Sequence, residues 1–210
     1  MPRRCCWALI LLLAPFAVPF AAWADAAGLD TLGPLAPHVR LQPDGTPWRV
    51  APQDGALLME NATAPGEVTY FFVQPRDHPL RVAAQVTAAP AGAPDDVAGG
   101  GILFGLQGQG SARLYYVFLL SPDGTLSVIR RDEKGAQRLL ATRSDKIDPA
   151  RPVELAVVET GDGTELHAGG ERIGTIRARG TGAGSVGIAA LGTGRFTFRD
   201  FRIGEAGGRQ

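Results

Sequence analysis

Cysteine is nearly absent from this sequence, and its two copies, Cys5 and Cys6, both stand before a hydrophobic stretch near the N-terminus. If that stretch is removed on export, the remaining chain has no thiol, which excludes disulfide bonds and thiolate-bound metals. Histidine is also scarce, and His38, His78 and His167 lack the His-x-His or His-x-x-x-His spacing of a zinc site. We therefore expect a fold that is stabilised by its hydrophobic core, with no metal and no cofactor.

An excess of charge of either sign is missing as well. The chain has 21 Lys and Arg residues and 21 Asp and Glu residues, and loss of Arg3 and Arg4 with an N-terminal leader would leave it slightly acidic. Binding of nucleic acid or of an anionic membrane surface normally depends on a basic patch. The balance of charges gives no reason to expect either partner.

Residues 1–24 have the three parts of a signal peptide. Arg3 and Arg4 provide the positive start, residues 7–20 are apolar, and Ala-Trp-Ala at 22–24 is a small-x-small cleavage site. The apolar part is short for a membrane span, which needs about 20 residues, so cleavage before Asp25 is favoured over an uncleaved anchor. This predicts an exported protein, periplasmic or extracellular, with no integral membrane segment in the mature chain.

The mature chain divides into two regions. Residues 25–46 are rich in Pro, Gly and Leu without a clear period and predict an irregular N-terminal arm, whereas residues 47–205 predict one domain. In that domain, short apolar runs alternate with turn residues, which indicates an all-β sandwich or barrel. The runs lie at residues 48–50, 56–59, 67–73, 80–88, 101–107, 114–120, 125–131, 137–142, 153–160, 164–168, 172–178, 185–191 and 195–203.

The segment 114–131, LYYVFLLSPDGTLSVIRR, predicts a hairpin whose first arm is apolar on both faces. Side chains alternate along a strand, so Tyr116 and Phe118 point to one face, while Tyr115 and Val117 point to the other. In a two-sheet sandwich one face meets the opposite sheet, and the second face then needs cover from a loop, the N-terminal arm or a ligand. The segment therefore favours a sandwich and marks that second face for attention.

The last strand contains an irregularity in its alternation. Phe196 and Phe198 share one face, but Phe201 and Ile203 would point to the opposite face in a regular strand. One extra residue would return them to the core, so we predict a β-bulge at Arg199-Asp200.

Several motifs occur in the order that they have in concanavalin A-like jelly-roll domains. The sequence WRV followed by DGALL resembles the opening strand pair, and GGGILF, LYYVFL and VELAVV resemble the strands that follow. The sequence SVGI and the closing FTFRDFRI are similar to the last strands of these domains. Among such domains, the chain resembles laminin-G-like modules and the 3-keto-disaccharide hydrolase-like domains of exported bacterial proteins. The resemblance extends from Trp48 to Ile203.

The resemblance implies an all-β, two-sheet antiparallel jelly-roll sandwich, but it does not select an activity. Where relatives often have V-D-G-x-x-V, this chain has Gly169 at the position of the Asp. The Glu-x-Asp-x-x-Glu signature of related glucanases, which places alternate carboxylates on one strand face, is absent from the sequence.

Adjacent aromatic residues provide the first candidate ligand site. In Tyr70-Phe71 and Tyr115-Tyr116, one member of each pair must leave the main core, because neighbours in a strand point to opposite faces. We therefore take Tyr70 and Tyr115 as candidates for stacking against a sugar. The alternative is that these aromatics only pack in the core.

Asp95 and Asp96 form the second candidate, in a loop rich in Pro and Gly. Two adjacent carboxylates are suited to contribute to a ligand site or to Ca²⁺ binding, since hard cations need several oxygens. The simpler interpretation is a solvated loop.

Together these features predict an exported non-catalytic binding or structural module, with a glycan or an envelope protein as candidate partner. The alternative is a glycoside-processing hydrolase of the 3-keto-disaccharide hydrolase-like type, which depends on the resemblance alone. A cleft lined by two carboxylates about 5–10 Å apart would favour the enzyme, and a shallow aromatic face would favour the module.

Overall fold

The computed structural model of the chain describes residues 29–41, 47–75, 81–93, 95–177 and 184–204, so the predicted signal peptide lies outside the described residues. The described part has thirteen strands, one at each predicted run. They are β1 Arg49–Gln53, β2 Ala56–Asn61, β3 Val68–Val73, β4 Arg81–Ala89, β5 Gly99–Gln107, β6 Leu114–Leu120, β7 Thr125–Asp132, β8 Gly135–Arg143, β9 Val153–Thr160, β10 Gly163–Ala168, β11 Glu171–Ile176, β12 Ser185–Leu191 and β13 Gly194–Gly204.

The strands form two sheets. The order in the seven-stranded sheet is β1-β2-β13-β4-β9-β10-β11, and the order in the six-stranded sheet is β3-β12-β5-β6-β7-β8. All neighbouring strands in both sheets pair antiparallel. The predicted two-sheet antiparallel architecture is confirmed.

The inner faces of the two sheets enclose the main core. On the six-stranded sheet, the rings of Phe104 and Tyr116 stack with centroids 5.4 Å apart, and Phe118 is fully buried. On the seven-stranded sheet, Phe196 and Phe198 are fully buried. The predicted inward orientation of Tyr116 and Phe118 is confirmed, since both belong to this core.

The β6–β7 hairpin forms as predicted. Its turn is closed by a hydrogen bond of 2.9 Å from the Gly124 amide to the Ser121 carbonyl, and Gly124 has φ of +84°. A side chain is strained at such a φ, which explains the glycine. The side chain of Asp123 accepts hydrogen bonds from the amide and the hydroxyl of Thr125, both of 2.9 Å, and fixes the start of β7.

The predicted bulge in β13 is also present. The pairing of β13 with β4 shifts register between Arg199 and Arg202, and Asp200 has a positive φ of 53°. As a result Phe201 is buried in the main core, and Ile203 is half-buried against it. The bulge thus returns the apolar residues to the inner face.

The described part of the N-terminal arm is a 3₁₀ segment, Asp30–His38, that is kinked at Gly33. Leu29, Leu32 and Leu35 are buried in the main core, and the segment packs against β13 and β3. The arm therefore contributes to the core between the sheets rather than covering the second face of β6.

Candidate functional site

The outer face of the six-stranded sheet is apolar, in contrast to that of the seven-stranded sheet. Leu103, Val117, Leu119, Ala189 and Ile129 form a second hydrophobic cluster there. Val117 is only 2% exposed and Leu119 is 0% exposed. Side chains of the chain itself provide the cover, because Val68, Tyr70 and Val97 pack against the cluster. A loop, the N-terminal arm or a ligand was expected to cover this face of β6. In the structure a loop covers part of it through Val97, and Tyr70 of β3 also packs against it.

The outer face of the seven-stranded sheet is a ladder of ion pairs. Glu60 on β2 pairs with Arg49 at 3.4 Å and with Arg195 at 2.8 Å. Glu154 on β9 pairs with Arg81 and Arg202, both at 2.6 Å. This face has the charged pairing of a solvated surface, so the candidate ligand site lies on the other sheet.

Three aromatic side chains on the six-stranded sheet form what we call the aromatic patch: Tyr70, Phe72 and Tyr115. Ring centroids are 5.7 Å apart for Tyr70 and Tyr115, and 6.0 Å apart for Tyr70 and Phe72. Two strands, β12 and β5, separate β3 from β6, so β3 and β6 are about 14 Å apart at normal strand spacing. Tyr70 is in line with Leu119 rather than with Tyr115, so the backbones of the two tyrosines are farther apart still. The rings must therefore lean towards each other across the sheet.

Small residues on the intervening strands lie in line with Tyr70. Ala189 on β12 lies beside Tyr70 in the sheet, and Gly101 on β5 lies beside Ala189. A Cβ atom at Gly101 would come within 1.8 Å of the Phe118 carbonyl oxygen, so only glycine fits there. The two residues predicted for sugar stacking are thus brought together by the fold.

The three members of the patch differ in exposure. Tyr115 is 5% exposed, Tyr70 is half-buried and Phe72 is 42% exposed. A ligand can therefore contact Phe72 and one side of Tyr70, whereas Tyr115 supports Tyr70 from within. Phe72 was not among the residues selected from the sequence, although strand alternation places it on the same face as Tyr70.

Two arginines stand beside the phenol groups of the patch. Arg113, just before β6, is exposed and donates a hydrogen bond to the Tyr70 hydroxyl, and its guanidinium carbon lies 6.0 Å from the Tyr70 ring centroid. Arg131 on β7 is directly opposite Tyr115 and interacts with its hydroxyl. Burial raises the pKa of Tyr115 above its usual 10.0, and the nearby Arg131 opposes this shift. Tyr115 is therefore neutral at neutral pH.

Asp95 and Asp96 lie at the other end of the same face, in a separate pocket of about 430 Å³ that we call the loop pocket. One wall is the loop of residues 90–93 and 95–98, the opposite wall is the β6–β7 turn, and Ser127 lies on β7 between them. Arg138 on β8 also lines it and donates a 3.0 Å hydrogen bond to the Asp96 carbonyl oxygen.

The two aspartates have different surroundings. Asp95 is half-buried, and its two oxygens accept hydrogen bonds from the Gly66 amide at 2.9 Å and the Val97 amide at 3.1 Å. It therefore holds the loop against the start of β3. The Asp96 side chain is exposed. Asp123, on the opposite wall, has its pKa lowered chiefly by the hydrogen bond from the Thr125 amide.

The described part of the chain has neither a metal-binding cluster nor a membrane-spanning helix. Within those residues, no group of three or more His, Cys, Asp or Glu side chains is arranged to hold a metal ion. Over the same ranges, no helix has the length and apolar character needed to cross a membrane.

No family model matches the chain by sequence, and the search of curated proteins gives no match either. Solved structures do match. The carbohydrate-binding module CBM66 from Bacillus subtilis has a TM-score of 0.57 at 9% identity, covering 79% of this chain and 100% of that one. The β-glucanase of Bacillus licheniformis has a TM-score of 0.56 at 9% identity, covering 80% and 91%.

A third similar structure is a Bacillus subtilis protein of unknown function with a galectin-like fold. Its TM-score is 0.54 at 11% identity, and the match covers 75% of this chain and 86% of that chain. At such identities the likeness shows the fold and leaves the activity open. The chain has the jelly-roll sandwich fold of concanavalin A-like lectins and glucanases, as its sequence motifs predicted.

Proposed function

We propose that this protein is an exported, non-catalytic module that binds a glycan at the aromatic patch. The observation that supports this most directly is Phe72, a large aromatic side chain 42% exposed beside the half-buried Tyr70. Exposing a phenyl ring to water costs free energy, and an exposed aromatic next to hydrogen-bonding groups is typical of a recognition surface. The C–H face of a sugar ring can pack on such rings while its hydroxyls meet polar groups at the rim.

The rigidity of the patch also favours binding. Tyr70 is held from below by Tyr115 and at its hydroxyl by Arg113. A side chain whose rotamer is already set loses little entropy when a ligand binds. The patch is therefore preorganised for a flat ligand face.

The state of the carboxylates supports a non-catalytic role. Glycoside hydrolysis needs one carboxyl group that is protonated and a second that is ionised, on either side of the bond. In the loop pocket, Asp95 accepts hydrogen bonds from two backbone amides. The hydrogen bonds that Asp123 accepts favour the ionised form of Asp123. The Asp96 side chain is exposed to solvent.

The fold neighbours are consistent with either proposed activity. One is named a carbohydrate-binding module and another a β-glucanase, so the same sandwich is compatible with sugar binding and with sugar hydrolysis. The choice between the two must come from the site itself.

A glycan array followed by isothermal titration calorimetry on the best ligand tests the proposal. Phe72→Ala and Tyr70→Ala should each weaken binding about 10-fold or more, because loss of a stacked aromatic typically costs about 1–3 kcal/mol. Leu139→Ala is the matched control, since Leu139 is also exposed but lies on β8, the opposite edge strand of the same sheet. Failure to bind any glycan, or equal binding by wild type and Phe72→Ala, would contradict the proposal.

A further inference from the structure

We infer that the glycan bound at the aromatic patch has an anionic group on its ring, which Arg113 and Arg131 receive. The inference rests on the proposed function and adds the chemical class of its ligand. A hexuronate carboxylate and a sulfate ester are the two groups that these guanidinium donors would accept.

Neither Arg113 nor Arg131 has a carboxylate partner within the described part of the chain. On the outer face of the other sheet, by contrast, Glu60 and Glu154 each pair with two arginines. Four arginines of that face are therefore paired with carboxylates, whereas the two beside the patch have no such pair among the described residues.

The polar edge of the patch is rich in hydrogen-bond donors. A guanidinium has five N–H donors and no acceptor, and a phenol hydroxyl that accepts one hydrogen bond still has its own O–H to donate. Arg113 donates to the hydroxyl of Tyr70, and Arg131 interacts with that of Tyr115. The polar edge of the patch therefore offers mainly donors, and its natural complement is a group with acceptors only, such as a carboxylate or a sulfate.

The charged groups beside the patch are positive. Tyr115 is buried, and its raised pKa keeps the phenol neutral at neutral pH, so it adds no negative charge to offset the two arginines. The carboxylates of this face, Asp95, Asp96 and Asp123, line the loop pocket, which contains no member of the patch. Counting the described residues, the patch therefore has a net positive charge next to an exposed apolar ring.

The geometry divides the ligand into two parts. Phe72 and the open side of Tyr70, with centroids 6.0 Å apart, present an apolar surface for the C–H face of a sugar ring. The guanidinium of Arg113 is fixed at the edge of that surface by its hydrogen bond to Tyr70. A charged substituent on a sugar packed against Phe72 would meet this edge.

The test compares hexuronate oligosaccharides with their carboxyl-reduced, neutral counterparts, and sulfated oligosaccharides with their desulfated counterparts, by calorimetry on the full mature chain. We expect an anionic form to bind at least about 10-fold more tightly than its neutral counterpart, since a charge-assisted hydrogen bond contributes more than a neutral one. The two arms show which anionic group is recognised. Binding should also weaken as salt rises from low to physiological ionic strength.

Variants assign the effect to the two arginines. Arg113→Gln and Arg131→Gln should each weaken binding of the anionic form about 10-fold and reduce its salt dependence, and each should weaken binding of a neutral counterpart by a smaller factor. Arg151→Gln is the matched control, because Arg151 is an 83% exposed arginine outside the patch. Thermal melts of each variant separate loss of binding from loss of folding. Arg113→Lys, which keeps the charge, should retain the salt dependence.

The outcomes separate this inference from the proposed function. If neutral and anionic forms bind equally and the arginine variants have no effect while Phe72→Ala does, the inference is wrong and the glycan-binding proposal survives. If no saccharide of any charge binds, both are wrong.

Discussion

Replacement of Phe118 by alanine provides the sharpest test of the predicted core. Phe118 lies on β6, inside the six-stranded sheet, with 0% of its side chain exposed between the two sheets. A buried aromatic residue removes roughly 150–250 Å² from water, which corresponds to roughly 4–6 kcal/mol at about 25 cal/mol per Å². The alanine side chain still buries a small part of this apolar area, but the missing ring leaves a cavity. We therefore expect Phe118→Ala to lower the free energy of unfolding by about 3–5 kcal/mol.

Urea denaturation followed by circular dichroism measures this loss, with Phe72→Ala as the matched control. Phe72 is the same residue type in the same sheet but is 42% exposed, so its replacement should cost less than about 1 kcal/mol. Phe118→Leu, which keeps most of the volume, should lie between the two. A loss below about 1 kcal/mol for Phe118→Ala would mean that this face of β6 does not lie in the core, and would refute the reasoning.

Three further predictions concern processing, titration and activity. The intact mass of the exported protein should place its N-terminus at Asp25, and a mass that still includes residues 7–20 would contradict this. The thermal stability of the exported protein should not change when a reductant is added. Because folding raises the pKa of Tyr115, the neutral phenol contributes to the stability of the folded state. This contribution is fully present below pH 10.0 and is lost as the pH rises through the pKa of Tyr115 in the folded protein. Tyr115→Phe should therefore lose less stability than wild type in alkaline melts, and identical alkaline profiles would exclude this assignment. Neither ordinary nor 3-keto glycosides should be hydrolysed, and turnover that disappears in Asp96→Asn would favour the hydrolase alternative.

Much of the fold follows from local patterns. The positions of the strands, the turn at Gly124 and the bulge beside Asp200 were all predictable, because alternation, positive φ and register are properties of a few consecutive residues. The same alternation predicted that Tyr70 and Tyr115 leave the main core. It applies equally to Phe72, which is two residues after Tyr70 and therefore lies on the same face of β3.

The candidate site was only partly predictable. The sequence placed Asp95 in a loop, but the partner that fixes this loop is the Gly66 amide, 29 residues away in the chain. Arg131 faces Tyr115 because of the hairpin register, whereas Arg113 reaches Tyr70 across two intervening strands. The first pair follows from the predicted hairpin, but no local pattern indicates the contact of Arg113 with Tyr70.

The sequence by itself determined the class of fold, the faces of each strand and the inward set of aromatic residues, since these depend on short-range sterics and on the burial of apolar surface. The tertiary structure alone decided that β12 and β5 lie between β3 and β6. That order lets the Tyr70 and Tyr115 rings meet at 5.7 Å and leaves Phe72 exposed. The order of strands in a sheet is set by the packing of the whole chain, and residues far apart in sequence become neighbours only through that packing.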